Sequence, residues 1–413
     1  MKKILFISYD GMTDPLGQSQ VIPYLAGLTE YGYHFTILSC DKPDKYAANK
    51  VYVEKLIAPY NIEWVSIPYH KNPPVLSTMY DVWMLKKKAR QLQRQHKFDM
   101  VHTRPGIPTL VGLGLKKKYG IKFLNDIREF WADSRVDGGM WNIKNPLFKK
   151  IYNYFKKHED ECLVQADYNV CLTYAAKKEI HSWHRIPNQP VPIEVIPCSA
   201  DLKLFDPAAI DPSEKKALQK ELKIDDNDFV VSYLGSIGGW YMTAEIMQFC
   251  KQLSDKKPEA KFLFISPHRH DDITTAAEKY GLSSEKIITR KGMRHEVPLL
   301  LSLSRYSIFF IKPCFSKISS SPTKHGEIMA MGIPVIANGG VGDVAEIVTR
   351  YKAGYIVDDF SAGSFEKIID QMLAPHEVDA VAIRNAAKDF YALDNAIERY
   401  RKVYDIIFQN KEE

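Results

Sequence analysis

The feature that most constrains the fold of this chain is a regular alternation of short apolar runs with longer amphipathic segments. In the first half, runs rich in β-branched and aromatic residues lie at 3–9, 34–40, 62–68, 98–103, 121–127, 168–173 and 193–198. Segments with helical spacing, such as 19–31 and 76–95, separate these runs. Apolar runs with little internal alternation are typical of a parallel sheet covered by helices on both faces. The first half is therefore predicted to be a doubly wound α/β domain.

The same order of elements then begins again. A charged stretch at 201–227 precedes a second series of apolar runs, at 229–235, 261–265, 286–290, 306–312, 333–337 and 354–358. We predict an α/β protein with two doubly wound, Rossmann-like domains, residues 1–198 and 199–376, which face a central cleft at the carboxyl ends of their strands. Residues 377–413 have helical spacing and are predicted to pack back on the N-terminal domain. A length of 413 residues suits two such domains.

Composition excludes several classes of protein. Apolar residues make up 45% and charged residues 26%, as in folded rather than disordered chains. No apolar stretch is long enough for a transmembrane helix. The N-terminal run before Asp10 is too short for a signal peptide and reads as a buried first strand. Six cysteines without a C-x-x-C pair indicate reduced thiols, so a cytoplasmic location is expected.

Charge is unevenly distributed between the two halves. Residues 1–195 carry 28 Lys and Arg against 19 Asp and Glu, or +9, and the remainder carries 28 against 31, or −3. Basic runs lie at 86–90, 116–118, 149–150 and 156–157. A basic domain of this kind is typical of proteins that bind anionic lipid, an acidic substrate or nucleic acid. The alternative is that the basic residues lie on solvated helix faces. No interleaved aromatic and basic pattern is present, so nucleic acid is not expected as a partner.

Two loops of the first domain carry candidate residues. After the first strand, Gly17 and Gln18 precede a helix that Ser19 is predicted to cap, and such a helix start favours an anion. After the fifth strand, the segment 125–135 alternates acids, arginines and aromatics more densely than a turn requires; the alternative is an ion-paired surface loop. Its candidates, together with one arginine after the fourth strand, are Asp126, Arg128, Glu129, Trp131 and Arg104.

In the second domain the strongest candidates follow the run 306–312. Ser321 is predicted to be an N-cap with Pro322 at the first helical position. Lys324 then lies in the first turn, where a cation opposes the helix dipole unless an anion is also present. A phosphate over the helix end, with Lys324 as counter-charge and Glu327 bonding a sugar hydroxyl, accounts for this pattern; the alternative is a local Lys324–Glu327 ion pair. The glycine-rich turn at Gly235-Ser236 is a second phosphate candidate.

Together these residues resemble the retaining, family-4 glycosyltransferases of the two-domain GT-B fold. The segment from Pro322-Thr323-Lys324 through Glu327 to Ile336 is similar to the family's donor-nucleotide segment, and 126–133 resembles a segment of members that build bacterial surface polysaccharides. Residues 10–20 resemble the first loop of those members, and 195–201 the entry to the second domain. Ser319 stands where the family often has the first of two glutamates.

The resemblance implies a specific activity and set of roles. The expected reaction moves a sugar from a nucleotide sugar, such as a UDP- or GDP-sugar, to a glycan or lipid-linked acceptor with retained configuration and without a metal or other cofactor. Lys324, Glu327, Arg128 and Asp126 are the expected catalytic residues. Donor contacts are expected at Gly17, Gln18, Gly235, Ser236, Ser321, Thr323 and Gly326. Acceptor contacts are expected at Arg104, Glu129 and Trp131.

The resemblance also implies a location in the cell, and it leaves two alternative functions open. The basic first half is expected to contact anionic lipid at the inner face of the membrane. A nucleotide-sugar epimerase on the same fold, or a non-catalytic two-domain sugar-binding protein, stays open as an alternative. Incubation with labelled nucleotide sugars separates the three.

Overall fold

The structure, a computed structural model, describes residues 1–375 and 378–409. The chain forms two compact units: the first comprises Met1–Pro197 together with the chain from Leu393 onward, and the second comprises Cys198–Ala392. The predicted boundary at 376/377 falls on residues outside the described part of the chain. Residues 377–413 were predicted to pack back on the N-terminal domain, but the helix Ala380–Tyr391 belongs to the second unit, where it packs on the helix Thr323–Ala330. The chain returns to the first unit only at Leu393.

The first unit contains a seven-stranded, wholly parallel sheet of order β3-β2-β1-β4-β5-β6-β7. Its strands are β1 (Lys2–Ser8), β2 (Tyr33–Asp41), β3 (Glu63–Pro68), β4 (Met100–Thr103), β5 (Lys122–Ile127), β6 (Tyr168–Cys171) and β7 (Ile193–Val195). Its helices are α1 (Pro15–Gln20), α2 (Ile22–Thr29), α3 (Pro43–Ile57), α4 (Leu76–His96), α5 (Ile107–Tyr119), α6 (Trp131–Asp137), α7 (Pro146–Gln165) and α8 (Tyr174–His181).

The second unit contains a six-stranded parallel sheet of order β10-β9-β8-β11-β12-β13. Its strands are β8 (Phe229–Leu234), β9 (Ala260–Ile265), β10 (Ile287–Arg290), β11 (Tyr306–Ile308), β12 (Val335–Asn338) and β13 (Gly354–Val357). Its helices are α9 (Pro212–Glu221), α10 (Thr243–Lys256), α11 (His270–Lys279), α12 (Val297–Leu301), α13 (Thr323–Ala330), α14 (Val344–Arg350), α15 (Ala362–Leu373) and α16 (Ala380–Tyr391). The last helix, α17 (Leu393–Gln409), belongs to the first unit.

The strand pattern confirms the prediction of two doubly wound α/β domains. All thirteen predicted strands are present, most with bounds within a few residues of those expected. Strands such as β1 and β8 are almost wholly buried, because helices cover both faces of each sheet. In the first unit one face packs on α2, α3 and α17, and the other on α4, α5 and α7.

The helix after β1 differs from its prediction. The segment 19–31 was predicted as one helix capped by Ser19, but the structure has α1 and α2, separated at Val21. Asp14 precedes α1, and the Ser19 hydroxyl donates to the Pro15 carbonyl inside that helix at 2.8 Å. The prediction for Ser19 was therefore wrong, since Pro15 starts a helical turn four residues earlier.

None of the helices in residues 1–375 and 378–409 is long and apolar enough to span a bilayer.

Candidate functional site

The strand order of the second unit indicates where a ligand would bind. The order reverses between β8 and β11, and ligands of open parallel sheets bind outside the carboxyl ends of the strands at such a point. The turn that begins at Gly235 follows β8 directly. Helix α13 begins at Thr323, after the segment that follows β11.

Lys324 lies in the first turn of α13, as predicted, and its ammonium group is buried without a partner. Its Nζ has no hydrogen-bond or ion-pair partner among the described residues. The nearest groups are aromatic: Nζ lies 4.0 Å from the ring centroid of Tyr241 and 4.7 Å from that of Tyr233. Burial lowers the pKa of Lys324 to about 7, while the charge of Glu327 opposes that change. A buried, unpaired ammonium is costly, so the geometry suits an anionic ligand.

Gly235 is required for the lysine to occupy this position. A Cβ at residue 235 would lie 2.9 Å from Lys324 Nζ. The residue also has φ +113°, a conformation that side chains other than hydrogen rarely allow. The two separately predicted phosphate candidates, at Gly235 and at Lys324, are therefore brought together by the fold.

Glu327 pairs with a residue that the sequence analysis did not select. Arg294 Nη1 donates to Glu327 Oε1 at 2.8 Å, and the carboxylate is buried while Arg294 is 41% exposed. Burial raises the pKa of Glu327, against the opposing charges of Arg294 and Lys324. No ion pair between Lys324 and Glu327 forms, so the alternative of a local pair was wrong. Arg294 follows β10 at the same edge of the sheet, which is the signal that could have identified it.

Ser321 does not cap α13. The helix begins at Thr323, one residue later than predicted, and Pro322 precedes it in an extended conformation. Because Ser321 lies two residues before the helix, its hydroxyl instead accepts from the Cys198 N–H at 3.2 Å. Thr323 occupies the first helical position and is partly exposed. Ser236 is exposed, in the turn after β8.

Gly326 has a packing role in the structure. A Cβ at this position would lie 2.8 Å from the Tyr391 ring of α16. Tyr391 also hydrogen-bonds His325 Nδ1 at 2.9 Å. The absence of a side chain therefore lets α13 and α16 approach closely, and this contact explains Gly326 without a ligand.

In the first unit, the loop after β1 is fixed by its own residues. A Cβ on Gly17 would lie 2.6 Å from the Gly11 carbonyl and from Met12 Cα, so this glycine permits the loop to pack on itself. Its contact with a donor stays a prediction. The Gln18 side chain donates to the Thr13 carbonyl at 3.3 Å. The buried carboxylate of Asp41 anchors the loop by accepting from the Thr13 N–H at 3.1 Å.

Asp126 and Arg128 meet in a buried polar network with α17. The Tyr400 hydroxyl donates to Asp126 at 2.9 Å, and Arg128 donates to that hydroxyl at 3.1 Å. Burial alone would raise the pKa of Asp126, but Arg128 and His102 outweigh it and lower the pKa to about 2. Asp126 and Arg128 are 2% and 7% exposed, which supports a structural role. Their contact with substrate stays a prediction.

The acceptor-side candidates have different environments. Arg104 follows β4, beside the strand-order reversal between β1 and β4, and is 6% exposed. Its Nε has no hydrogen-bond partner among the described residues, and its Nη2 lies 3.9 Å from Asp10. Glu129 pairs with Arg135 at 2.8 Å, as the ion-paired alternative predicted. Trp131 packs in the core against Trp141 and Phe155, so burial explains it without a ligand.

Two further features near the strand ends were missed. Asp81, fully buried in α4, accepts from the Tyr9 hydroxyl at 2.8 Å and lies 2.6 Å from His70 Nδ1, which fixes the ring of a half-exposed histidine after β3. Lys317 Nζ lies 3.8 Å from the Trp240 ring centroid. Sequence spacing gave no signal for either, because the partners are distant in the chain. No group of three or more His, Cys, Asp or Glu side chains within the described ranges is placed to hold a metal ion.

The fold defines the class of protein. Two Rossmann-like domains of parallel sheet, each with a strand-order reversal, match the GT-B fold. Residues 18–204 match the model of Glycosyltransferase Family 4, and residues 214–389 match that of Glycosyl transferases group 1. The chain therefore belongs to the GT-B glycosyltransferases of the family-4 type. No curated protein matches the sequence significantly.

Solved structures with the same fold cover nearly the whole chain. A glycosyltransferase from Rickettsia africae has 16% identity and a TM-score of 0.73, covering 99% of both chains. Anabaena HepE, solved with UDP and glucose, has 14% identity and a TM-score of 0.70, covering 98% of this chain and all of that one. A structure from Listeria monocytogenes, described as an inferred UDP-N-acetylglucosamine 2-epimerase, has 12% identity and a TM-score of 0.63. The match covers 100% of this chain and 98% of that one. These identities establish the fold alone.

Proposed function

We propose that this protein transfers a sugar from a nucleotide sugar to a glycan or lipid-linked acceptor, with retention of configuration, in the synthesis of a cell-surface polysaccharide at the cytoplasmic face of the membrane. The observation that carries the proposal is the buried, unpartnered ammonium of Lys324 beside Gly235. The family membership and the site at the strand-order reversal agree with it.

The chemistry of glycosyl transfer explains why such a group is useful. When the bond between sugar and phosphate breaks, negative charge grows on the departing diphosphate, and a preorganised cation stabilises it. Lys324 would supply that charge, with the first-turn N–H groups of α13. Arg294, paired to Glu327, would hold that carboxylate in place to bond a sugar hydroxyl. In this mechanism Lys324 and the first-turn N–H groups supply the positive charge, so neither a metal nor another cofactor is needed. The departing phosphate takes the acceptor's proton as the new glycosidic bond forms.

The identity of the nucleotide-sugar donor is the first property to determine. UDP is the first nucleotide to test because HepE was solved with it, and GDP-sugars form the second group. We expect one of these nucleotide sugars to raise the melting temperature of the protein, since a ligand that binds only the folded state stabilises it.

The decisive experiment is incubation with labelled nucleotide sugars, with and without glycan and lipid-linked acceptors. Release of nucleotide that depends on an acceptor supports the proposal. A changed sugar on the same nucleotide, without an acceptor, would instead support the epimerase, which the fold also accommodates. Binding without turnover of any donor would support a non-catalytic binding protein.

The role of Lys324 is tested with the same assay. Lys324→Ala should lower turnover about 100-fold or more, since removal of one preorganised charge-stabilising group has effects of that size. Lys220→Ala, at an exposed lysine of α9, is the matched control and should keep full activity. Full activity of the Lys324 variant would remove this residue from the mechanism.

A further inference from the structure

The first unit has a buried cation of its own at the carboxyl edge of its sheet. Arg104 directly follows β4, and its backbone N–H donates to the Ile7 carbonyl of β1 at 3.0 Å. The residue therefore lies where the strand order reverses between β1 and β4, and it is 6% exposed. Ligands of open parallel sheets bind outside the carboxyl ends of the strands at such a reversal.

The guanidinium group of Arg104 has little compensation for its burial. Its Nε has no hydrogen-bond partner in the described part of the chain. The carboxylate of Asp10 is 3.9 Å from Nη2, beyond hydrogen-bond range, and its side chain is 56% exposed. Asp126 also interacts electrostatically with Arg104, but it already accepts from the Tyr400 hydroxyl at 2.9 Å. Because a buried charge without hydrogen bonds is costly, this position suits an anionic ligand.

A histidine is held beside the same turn after β1. Tyr9, the residue before Asp10, donates through its hydroxyl to Asp81 at 2.8 Å, and Asp81 lies 2.6 Å from His70 Nδ1. Asp81 also accepts from the His70 N–H at 3.1 Å, so this fully buried carboxylate fixes both the backbone and the ring of His70. Because an ionised carboxylate only accepts, the contact places a hydrogen on Nδ1 and leaves Nε2 of the half-exposed ring for a ligand.

The two groups together indicate the chemistry of the ligand. A guanidinium presents paired N–H donors that match the oxygens of a phosphate or a carboxylate. An imidazole held at Nδ1 donates from Nε2 to an oxyanion once the ring is protonated. A phosphate has an oxygen to spare for the imidazole after a two-bond contact with the guanidinium, whereas a carboxylate uses both of its oxygens in that contact. A phosphate group therefore fits the pair better than a carboxylate does.

We propose that Arg104 and His70 bind a phosphate group of the acceptor, with Asp81 and Tyr9 as positioning residues for the imidazole. This inference rests on the proposed function and narrows it, because the acceptor becomes a phosphorylated molecule. Such an acceptor is either a soluble sugar phosphate or a sugar joined to a lipid through a diphosphate. The second unit has a comparable feature for the donor, since the ammonium of Lys324 is also buried and unpartnered among the described residues.

Histidine-ring NMR of the full chain tests this site without requiring turnover. The protein is made with isotope-labelled histidine, and His70→Gln identifies the ring signal of His70. We expect glucose 1-phosphate, geranyl diphosphate or both to shift that signal saturably, and glucose to leave it in place. The stronger response distinguishes a soluble from a lipid-linked acceptor. The titrations are made in the Lys324→Met variant, so that phosphate bound beside Lys324 does not contribute.

Variants separate binding from positioning. Arg104→Gln should weaken phosphate binding about 30-fold or more, because loss of one partner of a buried charge pair has effects of that size. Arg104→Lys keeps the charge and should bind better than Arg104→Gln. Arg90→Gln, at an exposed arginine of α4, is the matched control and should bind as the parent does. Asp81→Asn should change the His70 ring signal of the free protein and weaken phosphate binding, while the melting-temperature shift with the nucleotide sugar stays as in the parent.

Three outcomes would overturn the inference: a His70 signal that no phosphate probe shifts, equal weakening by Arg90→Gln and Arg104→Gln, or a larger response to glucuronate than to glucose 1-phosphate. Thermal melting without ligand identifies any variant that does not fold. In the transfer assay, Arg104→Gln should raise the KM for the acceptor and leave the KM for the donor near that of the parent. A phosphate response at His70 without transfer from any donor would contradict the proposed function while the anion site stands.

Discussion

At the scale of single residues, the buried charge of Lys324 is suited to binding an anion but lowers the stability of the free protein. Its ammonium is buried against two tyrosine rings with no anionic partner, so the free protein carries the cost of a desolvated charge. Groups of this kind are retained where a ligand supplies the missing partner.

We predict that Lys324→Met stabilises the free protein while it abolishes the response to the donor. Replacement of a buried charge by an apolar side chain of similar length should raise the free energy of unfolding by about 1–3 kcal/mol. The variant should lose the melting-temperature shift that the nucleotide sugar causes in the parent protein. Denaturant titration and thermal scans measure both effects, with Lys220→Met as the control. A destabilised variant that still responds to donor would contradict the proposed site.

The buried amine of Lys324 should also make the stability of the protein depend on pH. The pKa of Lys324 is about 7 in the folded protein and 10.5 for an ordinary lysine, so the unfolded state binds more protons between these values. The contribution of Lys324 to stability should therefore rise with pH across this window, while its cost is full below pH 7. Tyr233, Tyr241, Glu327 and Arg294 are the titratable or charged groups around it.

A bound diphosphate reverses this preference for the neutral amine. Binding at pH 8 should take up close to one proton, and binding at pH 6 close to none. Calorimetry in buffers of different ionisation enthalpy measures this uptake. Lys324→Arg, whose side chain stays protonated, should show no uptake from this group at either pH. Equal proton uptake by that variant and the parent would assign the effect to another residue.

At the scale of secondary-structure elements, the contact of α13 with α16 depends on Gly326. Gly326→Ala should destabilise the protein by about 1–3 kcal/mol, because the added Cβ would meet the Tyr391 ring at 2.8 Å in a filled core. The matched control is Gly114→Ala in α5, where the same atom meets nothing within 4 Å and the helix should gain about 0.5–1 kcal/mol. Equal effects of the two substitutions on the denaturation midpoint would show that helix propensity, rather than packing, determines the result.

Elements also show where local signals mislead. Pro15 and Pro322 are both helix-start signals, but the helices begin at Pro15 itself and one residue after Pro322. Capping preferences alone therefore do not determine whether a helix begins at the proline or one residue after it. For Ser321 the deciding contact is the Cys198 N–H, more than a hundred residues earlier in the chain.

At the scale of the whole molecule, the chain returns to its first unit in the final helix. Tyr400, Val403, Tyr404 and Ile407 of α17 are buried in the core of that unit with α2. A chain ended after Ala392 should therefore lose hydrogen-exchange protection in the first unit, including β1 and β5, and keep it in the second. Removal of residues 410–413 alone serves as the control. Equal loss in both units would indicate that the two unfold together.

The sequence by itself determined the class of fold and the thirteen strands, and it selected the segment around Lys324 as a candidate site, because strand and helix periodicity and residues near strand ends are local features that each segment carries. Only the tertiary structure decided the partners of these residues: Arg294 for Glu327, Tyr391 for Gly326, and Tyr400 for both Asp126 and Arg128. Each pair joins positions far apart in the chain, so the sequence could not tell a residue turned toward a ligand from one that completes the core. The physical reason is that burial and charge pairing depend on which segments the fold brings together, and no local pattern contains that information.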